Sequence, residues 1–252
     1  MLLKGFFRAD AYNPDKPQET WTLIQTISTP GSSTVSLGWG KYKFELVGGG
    51  GGGGASALAR DTGGTTTLYN IANSGAAGGK YTTPAFPVIN NTTTSFTIVV
   101  GGGGSGGYAH ATKNSGTATG GTGGVGNYAG GTGGQQTGTS PAHSGRDMHA
   151  SSAGGGGGGQ SYVYVSGIFG PYRASGGAGG DARCSITRGG DGTASASVAG
   201  GVGYNGNDGN NGQGAAGGSG KTGGVSSDAS ATGNSGSNGY VKIYKSNLKP
   251  GV

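Results

Sequence analysis

A chain of 252 residues with 65 glycines, 31% hydrophobic and 10% charged residues stands far from globular usage, in which glycine is about 7%. One cysteine excludes an intrachain disulfide and a cysteine zinc centre, and the start MLLKGFF is too short for a signal peptide. No later stretch approaches the roughly 18 apolar residues of a membrane-spanning helix. The formal charge of +6 raises nucleic acid as a partner, but the 16 basic residues are scattered in ones and twos along the sequence. A phosphate-binding surface needs a cluster, so nucleic acid is set aside.

Only Gly5, Gly31, Gly38 and Gly40 precede Gly48; the other 61 glycines lie from Gly48 onward. The leading part therefore reads as ordinary β structure: Thr20 to Ile27, a Pro30-Gly31 turn, Thr34 to Leu37, and Lys41 to Val47. Polar and apolar residues alternate there among Trp, Tyr, Phe, Val and Ile, the period of half-buried strands. Residues 95–100 and 240–244 have the same character, and we expect both to pack on an N-terminal β domain spanning 1–47.

From 48 to 239 glycine dominates. Helix is excluded there by the cost of each helix-interior glycine, about 1 kcal/mol relative to alanine. Sheet is disfavoured because glycine brings no side chain to pack. The spacing suggests polyproline II, with three residues per turn. Gly203, Gly206, Gly209 and Gly212 repeat every third position, as do Gly214, Gly217, Gly220 and Gly223, and then Gly233, Gly236 and Gly239. Each such run has one bare edge. The GGxGG runs at 120–124, 130–134 and 176–180 have two, with the middle residue pointing outward. Gly48 to Gly54, Gly101 to Gly104 and Gly154 to Gly159 are bare on all sides and are expected at the centre.

The predicted fold is thus a small N-terminal β domain followed by a layered bundle, or sandwich, of glycine-rich polyproline-II-type helices with essentially no α-helix, closed by a strand and tail over 240–252. Interior helices of this kind have no bonds of their own, so the core must be a hydrogen-bond lattice between them. The competing reading is a disordered low-complexity tract.

Chemical motifs are weak. Ala215 to Thr222 (AAGGSGKT) has phosphate-loop composition without the flanking strand and helix that such a loop requires. His110, His143 and His149 with Asp147 offer metal-ligand types at no fixing spacing, and Ser144, Asp147 and His149 offer triad types without a nucleophile turn. No catalytic residue, metal or cofactor is assigned.

What interrupts the glycine carries the recognition. The insertions bring Tyr108, His110 and Lys113; His143, Arg146, Met148 and His149; Tyr162, Tyr164, Phe169, Tyr172 and Arg173; Arg183, Ile186 and Arg188; and Tyr204 with Asn205. They are read as binding loops, since aromatic and arginine side chains give binding energy at low entropic cost. If successive helices alternate in direction, 108–119, 135–153 and 181–188 emerge at the outer end and 160–175 at the inner end.

GGGGGGG at 48, VVGGGGSGG at 99, GGTGG at 120 and 130, GGGGGG at 154 and GGAGG at 176, alternating with variable segments, resemble the receptor-recognising adhesins at the tips of T-even-type bacteriophage long tail fibres. The resemblance implies a virion protein made without an export signal. It would be carried by the trimeric distal fibre subunit and bind a host outer-membrane protein of the porin class, with lipopolysaccharide as a further contact, and no catalysis. Phe6, Phe7, Trp21 and Trp39 are then the expected fibre-attachment residues. The rival binding class is a glycine-rich structural or ice-binding protein, with the outward Thr and Ala of GGxGG as its repeating surface.

Overall fold

Alternation of apolar and polar residues, wherever it interrupts the glycine, folds as strand. The computed structural model describes residues 17–60, 66–89, 92–113, 115–124, 130–140, 148–188, 192–203 and 215–250. Among them the chain is all-β, with nineteen strands and no helix. The strands gather at two ends, joined by the glycine segments.

At the near end, β1 (Trp21–Ile27), β19 (Tyr240–Ser246), β3 (Gly40–Val47) and β6 (Lys80–Thr82) form one sheet in that order, with β7 (Phe86–Val88) also on β3. The facing sheet runs β14 (Phe169–Ala174), β13 (Ser161–Val165), β8 (Thr94–Val100) and β2 (Gly31–Leu37). Gly31, at φ +122, takes up the turn after Pro30. Inward residues of both sheets make the main apolar core: Leu37, Phe44, Leu46, Phe96, Ile98, Val163, Phe169, Val241 and Ile243 are all buried. Phe44, Phe86, Phe96 and Phe169 interlock at its centre, with ring centroids 4.9 to 5.9 Å apart.

The far end is three sheets deep. The middle sheet is β11 (Gln135–Ser140), β12 (Met148–Ala153), β4 (Ala55–Arg60) and β17 (Lys221–Ser226), with β17 parallel to β4. On one side lies β10 (Gly116–Thr119), β9 (Tyr108–Thr112) and β18 (Asp228–Thr232); on the other β16 (Gly192–Val198), β15 (Ala182–Arg188) and β5 (Thr66–Ala72). The first interface is built of alanine: Ala55, Ala57 and Ala59 against Ala109, Ala111, Ala229 and Ala231. The second holds Leu58, Met148, Ala150, Cys184, Ile186, Ala194 and Ala196. Ala55 to Ala59 have no exposed surface, because β4 is covered on both faces.

Between the ends run the glycine segments, which form no strands. In Gly48 to Gly54 all seven amides and all seven carbonyls are bonded to other segments. Gly48, Gly51 and Gly54 donate to Gly79, Ala76 and Asn73; Gly49 and Gly52 to Gly159 and Gly156; Gly50 and Gly53 to Ser237 and Asn234. The carbonyls accept from 101–107, 175–181 and 215–221, giving six neighbours in all. Residues 154–159 likewise bond six segments: 48–54, 101–107, 120–124, 130–134, 175–181 and 199–203. The partner changes at every residue and returns at every third.

No side chain fits here. A Cβ on Gly51 would lie 2.0 Å from the Ala178 carbonyl oxygen, on Gly52 2.0 Å from that of Ser105, and on Gly53 2.1 Å from that of Ser219. The middle residues of the GGxGG runs, Thr122, Thr132 and Ala178, are exposed.

Three expectations need correction. Among the described residues the insertions between glycine runs are paired strands rather than loops, 204–213 lying outside those residues: the strands are long enough to span a sheet, and their small inward residues let sheets stack. The near end takes β6, β7, β13 and β14 from the stretch assigned wholly to the glycine bundle. Gly101 to Gly104 lies in a segment with four bonded neighbours, 48–54, 120–124, 154–160 and 233–239, so it is not surrounded as 48–54 is.

Gly52→Ala is expected to destabilise the protein by about 3 kcal/mol or more, because rigid backbone lies on the added methyl's position. Thr122→Ala, at an exposed position of the same lattice, is expected to stay within about 0.5 kcal/mol. Thermal denaturation of the two variants checks this.

Candidate functional site

Five chain connections lie at the far end: 113–115, 141–147 and 189–191 join the paired strands β9 and β10, β11 and β12, and β15 and β16, while 61–65 and Ser227 carry the chain between sheets, from β4 to β5 and from β17 to β18. The register brings Arg60 opposite Met148, Asp228 opposite Thr112, and Arg188 opposite Thr66 and Gly192. The far end therefore has five chain connections and two open sheet faces.

On the first open face, Tyr108 stands between Thr119 and Thr232, and His110 between Thr117 and Ser230. Tyr108 is exposed, its ring 6.4 Å from that of His110. His110 Nε2 lies 2.7 Å from Asp228 Oδ1. Lys113 follows β9 and is exposed.

The second open face belongs to β5, β15 and β16. There Tyr69 is opposite Ser185, and Ile71 is opposite Arg183. Tyr69 is 47% and Ile71 37% exposed, and Arg183 reaches solvent beside them, 3.6 Å from Asp181. Leu68, on the other face of edge strand β5, is also exposed. These three apolar residues were missed from the sequence. The alternation in TTLYNIA marks a strand, but which face stays uncovered depends on the sheet stacking.

Other expected contacts are interior. Met148 and Ile186 fill the interface between the middle and outer sheets, and Phe169 sits in the aromatic core of the near end. His149 is buried on β12, its Nδ1 3.2 Å from the Thr139 hydroxyl. Tyr162 is 5% exposed. Strand alternation turns Met148, His149, Phe169 and Ile186 inward, so these are corrected from contacts to core, whereas Tyr162 lies on the face of β13 opposite the core residue Val163 and is covered there. Tyr162 and Tyr164 stack at 6.0 Å and Tyr172 packs on Phe169 and Tyr81, all at the near end. With Arg173 and the β13–β14 turn, where Gly167 takes φ +70, the two stacked tyrosines border a groove of about 410 Å³. Phe6, Phe7, His143, Arg146, Tyr204 and Asn205 lie outside the described residues, as do Ser144 and Asp147.

The enzyme-like motifs are taken up by architecture. Amides of the AAGGSGKT stretch are already committed, Gly218 to the Gly51 carbonyl and Lys221 to that of Gly54. His110 is on an outer face while His149 is internal, and no group of three metal-ligating residues occurs among the described residues. Burial pushes the Cys184 thiol above its ordinary value of 9.0, against hydrogen bonds to Ser152 and to backbone carbonyls. It packs as a small apolar group.

Charge that is scattered in sequence is gathered at the near end. Lys41, Lys43, Lys80, Lys242, Lys245 and Lys249 lie on or beside the β1–β19–β3–β6 sheet. Trp21 is half-buried beneath Lys43, whose ammonium is 4.5 Å from the ring centroid, and Lys249 lies 5.2 Å from that of the exposed Trp39. Two carboxylates answer them. Hydrogen bonds from Lys41 and Ser246 hold Glu19 below its ordinary 4.5, whereas for Glu45 burial pulls upward and is outweighed by Lys80 and Lys242.

No protein-family model matches the chain, and no curated protein matches it.

Both carboxylates are lowered in the folded state, so their stabilisation is present above about pH 4.5 and is lost as pH falls through the folded values. The thermal midpoint is expected to drop on the acid side of that window, and Glu19→Gln with Glu45→Gln to flatten the drop. Cys184 is expected to resist iodoacetamide in the native protein and to react on unfolding in guanidinium. Mass spectrometry of the alkylated protein checks the second point.

Proposed function

We propose that this chain is a non-enzymatic adhesin at the tip of a bacteriophage long tail fibre, holding its far end against a host outer-membrane protein. The observation that carries the reading is the far end itself: five chain connections and two open faces with exposed Tyr69, Ile71, Arg183 and Tyr108 and half-buried His110, held on a frame bonded through its backbone. Recognition concentrates in variable segments on rigid scaffolds. A frame that does not depend on the side chains of its turns tolerates their exchange, as a receptor-binding protein under changing hosts requires.

For the frame, our reading is a layered bundle of polyproline-II-type helices. The three-residue return of hydrogen-bond partners supports it, since that helix has three residues per turn. In this reading the ten segments stack in rows: 233–239, 101–107 and 120–124; then 215–221, 48–54, 154–160 and 130–134; then 73–79, 175–181 and 199–203. The near end would then meet the trimeric distal fibre subunit, with Trp39 and the aromatic and lysine side chains around it as contacts. Lipopolysaccharide would be a second host contact.

The test is adsorption of the purified chain to susceptible cells. Tyr69→Ala and Tyr108→Ala each truncate an exposed aromatic on a different far-end face, and losing an anchor of this type costs about 2 kcal/mol or more. At least one variant is expected to weaken adsorption by about tenfold or more at an unchanged thermal midpoint. Parent-level adsorption by the double variant would count against the far end as the contact surface.

A further inference from the structure

We infer that the free edge of β1 docks an extended, acidic segment of a partner protein by strand addition. Strand β1 ends its sheet and is bonded only to β19 among the described residues. Five of its seven residues are exposed, Leu23 and Ile24 at 46% each. Natural edges are normally guarded by lysine, proline, a bulge or a covering element, and of these β1 has only a single bulge among the described residues. The strand WTLIQTI has no charge and no proline. Its one irregularity falls between Leu23 and Gln25, so that Ile24 has no partner on β19.

Charge selects the occupant. Glu19 and Glu45 are engaged by Lys41, Lys80 and Lys242. Lys43, Lys245 and Lys249 make no ion pair among the described residues and lie instead over the rings of Trp21, Tyr42 and Trp39. Lys43 is also 5.7 Å from the Tyr244 ring, so its ammonium is held above the sheet next to β1. Alternate residues of a strand added to β1 would stand beside Trp21 and Leu23 on that same face. Carboxylates there meet the Lys43 ammonium, which feels Glu19 at a distance but makes no contact ion pair among the described residues, and lysines are repelled. A second copy of this chain would bring its own Lys43 to the seam, which disfavours self-pairing. This inference does not rest on the adhesin reading.

Trp39→Phe leaves Trp21, one of two tryptophans in the chain, as a reporter on β1. The probe is a capped heptapeptide alternating Glu and Val, compared at low salt with its Lys-Val counterpart. We expect a saturable change in Trp21 emission with the acidic peptide and none with the basic one. Ile24→Pro and Lys43→Glu should each weaken binding about tenfold or more, and Lys43→Glu should gain affinity for the Lys-Val peptide. If Ile24→Pro lowers the thermal midpoint, Lys43→Glu decides, since it alters no ladder bond. The inference is overturned by no saturable signal, by equal binding of both peptides, by parent-level binding in Lys43→Glu, or by self-association of the unliganded chain in sedimentation. Host adsorption is a separate readout, so either inference can fail alone.

Discussion

The backbone hydrogen bond between one glycine segment and the next is the interaction on which the molecule depends. It forms in every direction around 48–54 only because no Cβ intervenes: at about 2 Å from a neighbouring carbonyl oxygen, even a methyl group is excluded. Glycine gives up the most conformational freedom on folding. What offsets that loss is complete pairing, since each buried amide or carbonyl left without a partner would cost about 1 to 3 kcal/mol. The seven residues from Gly48 to Gly54 leave none unpaired. An ordinary core tolerates a misfit by repacking side chains, but here there are none to repack.

The lattice also sorts the chain. Segments 48–54, 101–107, 130–134, 175–181 and 215–221 run from near to far, and 73–79, 120–124, 154–160, 199–203 and 233–239 run back. Side-chain chemistry is thereby expelled to the two ends, which solve packing differently. The near end encloses a phenylalanine cluster between two sheets. The far end stacks three sheets on alanine and a few larger residues, and these small inward side chains leave its polar variety on the outside.

Much of this was legible in the sequence. Alternation over 20–27, 41–47, 95–100 and 240–244 located β1, β3, β8 and β19 to within a residue or two, and the density of glycine marked 48–54 and 154–159 as surrounded. Alternating direction also separated 160–175 from 181–188, which the structure carries at opposite ends. Gly101 to Gly104 misled because bareness permits neighbours without supplying them: the segment's remaining side faces no bonded partner. Met148, His149, Phe169 and Ile186 misled in the opposite sense. A short insertion between glycine runs suggests a loop, but whether its alternate side chains turn inward is decided by pairing with strands far along the chain, such as β12 on β4. The lysines were unreadable for the same reason, since residues 41 and 242 meet only through β3 and β19.

Amide hydrogen exchange within 48–54 and 154–159 tests the lattice most directly. If these glycines are the core, their amides should exchange only with global unfolding, as slowly as those of the phenylalanine-lined strands β3 and β8. Exchange at the rate of an unstructured glycine chain, with β3 and β8 still protected, would contradict the lattice and leave a two-sheet sandwich and a three-sheet stack joined by disordered linkers.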